Sequence, residues 1–213
     1  MFLCLLLWLP ASAAELKLSA SGGGSALADA VVSLQPAQAA PAAPAARAVM
    51  DQRGSQFVPH VLPVQAGTSV VFPNQDQIRH QVYSFSASKR FELPLYAGSS
   101  ASPIRFDQPG VVVLGCNIHD WMMGYIVVLD TPYFGKTDDN GAVRLDAPAG
   151  KYRMRVWHPR LSGAPQEQDV VLAAGKPLAV VVVLDVSSEA QVRPGNDRLR
   201  ALQEKFRRIK PAP

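Results

Sequence analysis

Gly110-Val111-Val112-Val113-Leu114-Gly115 runs into Cys116-Asn117-Ile118-His119-Asp120-Trp121-Met122, and Met123-Gly124-Tyr125-Ile126-Val127-Val128-Leu129 follows. Two apolar, β-branched runs of strand length flank a short polar loop, which reads as two strands joined by a tight turn. The loop carries a thiol, an imidazole and a thioether at the spacing C-x2-H-x2-M. A tight loop after a buried strand can point Cys116 inward and then return His119 and Met122 to the same place. His80 stands upstream, just before the strand-like run Gln81-Val82-Tyr83-Ser84-Phe85. One thiolate, two imidazoles and one thioether are the ligand set of a mononuclear blue copper site. The sulfur ligands suit Cu(I) and the imidazoles also suit Cu(II), so one ion can change oxidation state with little movement. Taken singly, a cysteine at a strand end, a histidine or a methionine is more often packing. The combination and its spacing favour copper. A thioether is a poor zinc ligand, and a dinuclear purple site would need a second cysteine where Val112 stands.

Outward from this stretch, residues 47–130 hold about eight strand-like runs between turn residues, the pattern of a β-sandwich. The chain has 213 residues, 48% hydrophobic and 18% charged, which excludes disorder throughout. Its 18 prolines and 15 glycines recur as turn signals and argue against long helical arrays. The net charge of +4 comes from residues 187–213, so the remainder is neutral and a nucleic-acid-binding body is not supported. No Gly-rich phosphate loop is present, and no Ser or Cys is placed as an activated nucleophile.

The central segment resembles the cupredoxins, and most closely the amicyanin type. The residues that carry the resemblance are Phe57-Val58-Pro59, then Val64, Gly67, Val70, Phe72 and Asn74, and His80-Gln81-Val82. Phe106 and Gly110 lead into Cys116, His119, Met122, Gly124 and Ile126-Val127-Val128. The resemblance spans roughly residues 48–130. It implies Cys116, His80 and His119 as strong equatorial ligands of one type 1 copper ion, Cu(I)/Cu(II), with Met122 as a long axial ligand. Met123 is the competing thioether. Two positions depart from the family pattern, Gln81 for Asn and Ile118 for Pro. Gln81 would not tie the ligand loops together as Asn does. Ile118 keeps a backbone N–H that can point at the Cys116 sulfur and raise the potential.

The flanks resemble a second sandwich. Residues 132–160, with Thr137, Gly141, Leu145, Pro148, Gly150, Tyr152, Met154 and Val156, resemble the last half of a carboxypeptidase regulatory-like (transthyretin-like) sandwich. Residues 16–34, with Gly24, Leu27, Asp29-Ala30-Val31-Val32 and Leu34, resemble its missing opening hairpin. The expected fold is therefore all-β: a cupredoxin Greek-key sandwich inserted into a transthyretin-like sandwich, with a short C-terminal helix. The expected divisions are a signal peptide (1–14), an opening hairpin (15–35), an Ala/Pro linker (36–46), the copper domain (47–131), the rest of the second sandwich (132–186) and a basic tail (187–213). Asp139-Asn140-Gly141 reads as a hairpin turn. His60 reads as a sandwich histidine, with a supporting role near copper as the alternative, and His158 as structural or surface.

The ends carry location and contact signals. Residues 2–9 are an unbroken apolar run, followed by Pro10 and Ala11-Ser12-Ala13-Ala14, the pattern of an export signal. Cleavage after Ala13 or Ala14 removes Cys4 and leaves one cysteine, so an internal disulfide is excluded. In the tail, Asn196 is an N-cap, and Leu199, Leu202, Phe206 and Ile209 recur at helical spacing among six basic residues. Such a helix packs on the sandwich, or docks to an anionic lipid surface or an acidic partner. The expected function is a periplasmic or otherwise secreted electron carrier, not an enzyme. Donor and acceptor proteins, such as a dehydrogenase, a cytochrome or an oxidase, would dock near His119, where Trp121 and Met123 form an apolar rim. The alternatives are a copper-storing or copper-sensing module and a metal-free adhesion or scaffold protein.

Overall fold

The computed structural model describes residues 13–37, 46–98 and 102–187. The signal-like segment up to residue 12, most of the linker and the tail lie outside these residues. Among the described residues the chain is all-β, with eighteen strands and no helix. The strands before residue 40 are β1 (Ala13–Gly22), β2 (Ser25–Ala26) and β3 (Val31–Pro36). The central strands are β4 (Arg47–Val49), β5 (Asp51–Arg53), β6 (Gln56–Val58), β7 (Val61–Gln65), β8 (Thr68–Val71), β9 (His80–Ser86), β10 (Lys89–Tyr96), β11 (Ile104–Phe106), β12 (Gly110–Cys116) and β13 (His119–Leu129). The last are β14 (Phe134–Lys136), β15 (Ala142–Pro148), β16 (Gly150–Trp157), β17 (Gln166–Leu172) and β18 (Leu178–Val183).

Strands from both ends of the chain build one sandwich. Its sheets run β15-β1-β18 and β14-β3-β16-β17, so β1 and β3 each lie between strands that follow residue 133. Period-2 alternation explains β1: Leu16, Leu18 and Ala20 are buried while Lys17 and Ser19 face outward. They meet Val32, Leu34, Met154 and Val156 of the facing sheet in a single core. β1 and β3 do not pair with each other; the Gly23-Gly24 turn makes only a short hairpin of β1 with β2. Asp138–Gly141 is likewise not a hairpin turn. It is a corner between sheets, because β14 pairs with β3 while β15 pairs with β1. Gly141 suits the corner with φ +73°, and a Cβ there would lie 2.3 Å from the Ala20 carbonyl oxygen.

The central sandwich stacks β10-β9-β12-β13-β7 on β11-β8-β4, with β5-β6 as a separate hairpin. Its core includes Phe57, Val70, Phe72, Val82, Phe106, Leu114 and Ile126. The outer face of the five-stranded sheet does not meet water throughout. Val61, Tyr125 and Val127 pack there against Val31 and Trp157 of the split sandwich, and Tyr125 meets Trp157 at 5.6 Å between ring centroids. β13 is thus buried on both faces, which accounts for its run of apolar residues without alternation.

Candidate metal centre

β12 and β13 form the hairpin that builds the site. Pairing runs from Gly110↔Val128 to Gly115↔Met123, and then jumps to Cys116↔His119. Asn117 and Ile118 are left as a two-residue turn, and residues 120–122 bulge out of the ladder. The bulge resets which side chains point inward. Met122 is 1% exposed and shares the central core with Cys116, whereas Met123 packs in the cluster between the two sandwiches. Gly124 lets the strand pass Phe57, whose Cβ would stand 2.7 Å from an added Cβ.

His80 opens β9, the neighbour of β12, and is fully buried. Its Nδ1 lies 3.2 Å from His119 Nδ1 and 4.0 Å from Cys116 Sγ. His119 Nδ1 lies 3.7 Å from the same sulfur. The three candidate ligand atoms all fall within 4.8 Å of one another. At ordinary bond lengths of about 2.0–2.3 Å, these three atoms are close enough together that they could hold one ion between them. The donor set of one thiol and two imidazoles, inside an apolar core that also holds Met122, fits copper. Cys116 and His80 are buried, while His119 is part-exposed, with Trp121 beside it at 5.2 Å between centroids and 68% exposed.

The loop before His80 is pinned from several sides. Asn74 Nδ2 donates to the Ile78 and Tyr96 carbonyls, and Asn74 Oδ1 accepts the Asp76 N–H. Asp76 Oδ2 lies 2.7 Å from His80 Nε2, and its carboxylate also accepts the Gly54 and Ser55 N–H groups. Burial alone would push the Asp76 carboxyl up, but the bonds from Ser55, His80 and Gly54 outweigh it and hold the group below the usual carboxylate range. Sequence reasoning missed Asp76. The available signal was its position four residues before a candidate ligand, on a turn-rich segment.

Other expectations separate here. The Ile118 N–H makes no hydrogen bond to the Cys116 sulfur, whose polar contacts are the two imidazoles. The two-residue turn leaves Ile118 half exposed instead. Gln81 donates to Glu92 on β10 and does not join the ligand loops. Met123 does not rim His119, because it faces the split sandwich. His60 is exposed and sits edge-on to Tyr125, outside the ligand cluster. His158 is buried and structural: Nε2 meets the Ala28 carbonyl and Nδ1 accepts the Arg160 N–H.

No protein-family model and no curated protein matches the chain. Solved structures do. A purple cupredoxin from Nitrosopumilus maritimus is 22% identical over 39% of this chain and 99% of its own, with a TM-score of 0.34. A reduced amicyanin variant is 22% identical over 46% of this chain and 99% of its own, with a TM-score of 0.35. A copper-containing nitrite reductase from Thermus scotoductus SA-01 is 30% identical over 45% of this chain but only 25% of its own, with a TM-score of 0.38.

Proposed function

We propose that this chain is an exported blue-copper protein that carries single electrons between a redox enzyme and an acceptor. The observation that carries the reading is the convergence of the buried Cys116 and His80 with the part-exposed His119 in one preformed cluster. Copper bound there supplies a one-electron couple. Cys116, His80 and His119 would hold the ion, and Met122, buried in the same core as Cys116, would supply a thioether. His119 is the part-exposed member, and Ile118 and Trp121 beside it offer an apolar surface for a redox partner.

The same reading places the copper domain at residues 47–131, inserted between residues 15–35 and 132–186 of the second sandwich. The apolar run at residues 2–9 supports delivery to the periplasm or beyond. The deciding experiment is a visible and EPR spectrum of the copper-loaded mature chain. An intense thiolate-to-copper band with a narrow hyperfine splitting is expected, together with fast electron self-exchange. Loading without such a band would overturn the copper reading. A band with slow self-exchange would overturn the carrier role.

A further inference from the structure

The His80 ring has two nitrogens with different tasks. Nδ1 faces His119 Nδ1 and the Cys116 sulfur, inside the candidate ligand cluster. Nε2 faces the Asp76 carboxylate at 2.7 Å. Both carboxylate oxygens already accept backbone N–H groups, from Gly54 and Ser55, so Nε2 is the donor of this bond and carries the proton. Nδ1 is then left with its lone pair directed at the metal position. The ring is wholly buried and cannot turn to water to choose another partner.

The carboxylate is itself fixed. Arg53, Gly54, Ser55 and Gln56 make the turn between β5 and β6, and both central residues are left-handed, with φ of 59° and 54°. Successive N–H groups in such a turn form a small anion-binding concavity. Gly54 N donates to Asp76 Oδ1 at 2.7 Å and Ser55 N donates to Oδ2 at 2.9 Å. The Asp76 N–H is tied to Asn74 Oδ1. A distant hairpin thus grips the carboxylate that grips the imidazole.

We propose that Asp76 is the positioning residue of the metal centre, selecting the Nε2–H tautomer of His80 and setting the reduction potential through that ring. The proposal rests on the copper reading above for its potential, but not for its tautomer. A carboxylate that draws the Nε2 proton makes Nδ1 a stronger donor, which favours the oxidised ion over the reduced one. Removing its charge must therefore raise the potential. The Gly54–Ser55 turn makes the effect a property of this chain's own loop, since without it Asp76 would have free rotamers facing solvent.

The test uses the full mature chain with Asp76→Asn, Asp76→Ala and Asp76→Glu. In the metal-free protein, nitrogen-detected NMR of His80 is expected to show the proton on Nε2, facing Asp76, and none on Nδ1. In the copper-loaded protein, Asp76→Asn is expected to keep the visible band and shift the Cu(I)/Cu(II) affinity ratio about tenfold toward Cu(I), which is about 59 mV for one electron. Asp76→Ala is expected to lose about 10- to 100-fold in copper affinity. Asp76→Glu is expected to restore the tautomer in part. Asn is nearly isosteric, so it keeps the test alive if Ala fails to fold. An Nδ1–H ring in the metal-free wild type, or an unchanged potential in both Asn and Ala variants, would overturn the proposal. A wild type without the blue band would sink the copper reading alone, and the metal-free NMR would still decide for or against Asp76.

Discussion

At the scale of single residues, the bulge at 120–122 decides which methionine matters. From Met122 onward the even-numbered side chains of β13, Met122, Ile126 and Val128, enter the core with Cys116. Odd-numbered ones, Met123, Tyr125 and Val127, face the split sandwich. If copper binds as proposed, with Met122 as a weak thioether donor, Met122→Leu should keep the visible band and raise the potential, since losing such a donor destabilises Cu(II) more than Cu(I). Met123→Leu should leave both unchanged; voltammetry on the two variants checks this, and the reverse result would exchange their roles. Cys116→Ser should abolish the colour in absorption spectra, because a serine oxygen stays protonated. That Cys116, His80 and His119 come together was legible from residue type and spacing. Asp76 was not, because a carboxylate on a turn looks like solvated surface until the fold brings the Gly54–Ser55 turn to it. The Ile118 N–H misled for a related reason: its availability could be read from the sequence, but its direction is set by the two-residue turn. His158 offers a pH test away from the metal. Its burial, and then the nearby Arg160 charge, lower its pKa below the ordinary value of about 6.5. A histidine held neutral in the fold contributes stability that is intact above the unfolded-state value and lost as pH falls below it. Urea midpoints should drop between about pH 7 and pH 5, and His158→Gln should flatten that part of the curve. A slope that is the same in both proteins would assign the loss to other groups.

At the scale of elements, strand existence was readable but strand partnership was not. The runs that became β1, β3, β9, β12 and β13 stand out by alternation or by β-branched content. Their partners depend on where the chain returns after long excursions, and local pattern holds no record of that. The Asp139-Asn140-Gly141 segment illustrates the gap. Its residues suit a tight turn, and the turn forms, with Gly141 N donating to the Asp138 carbonyl. The flanking strands nonetheless join different sheets. What holds that corner is Thr137. Its hydroxyl donates to the Leu27 carbonyl and accepts the Ala30 N–H, while its backbone N–H reaches the Ala30 carbonyl. Thr137 is 2% exposed, so water cannot replace these bonds. Thr137→Val keeps the shape but strands a buried donor and a buried acceptor, each costing about 1–3 kcal/mol. A fall in chemical-denaturation stability of about 2–4 kcal/mol is expected, without loss of copper colour. A loss under about 0.5 kcal/mol, the range of ordinary surface changes, would show that the corner is not held through this hydroxyl.

At the scale of the whole molecule, the two sandwiches differ in what they need from each other. The central one keeps both of its sheets within residues 47–129, and its core draws on no residue outside them. The other takes β1 and β3 from before residue 37 and places each at an interior position of a sheet. Without them, β15 and β18 lose their shared neighbour, β14 loses β3, and among the described residues only the β16–β17 pair survives. A fragment of residues 132–186 would then expose unpaired strand edges on both sheets and half of an apolar core. It should show no cooperative unfolding transition, and should gain one when a peptide spanning residues 13–37 is added. A fragment of residues 47–131 should fold alone and take up copper with the colour of the full chain. It should also be less soluble than the full chain, because Val61, Tyr125 and Val127 lose the cover of Val31 and Trp157. Urea melts and visible spectra of the two fragments decide the matter. Sharp, reversible melting of 132–186 on its own would mean that β1 and β3 decorate a complete sandwich, and the chain would have to be read as two domains in series.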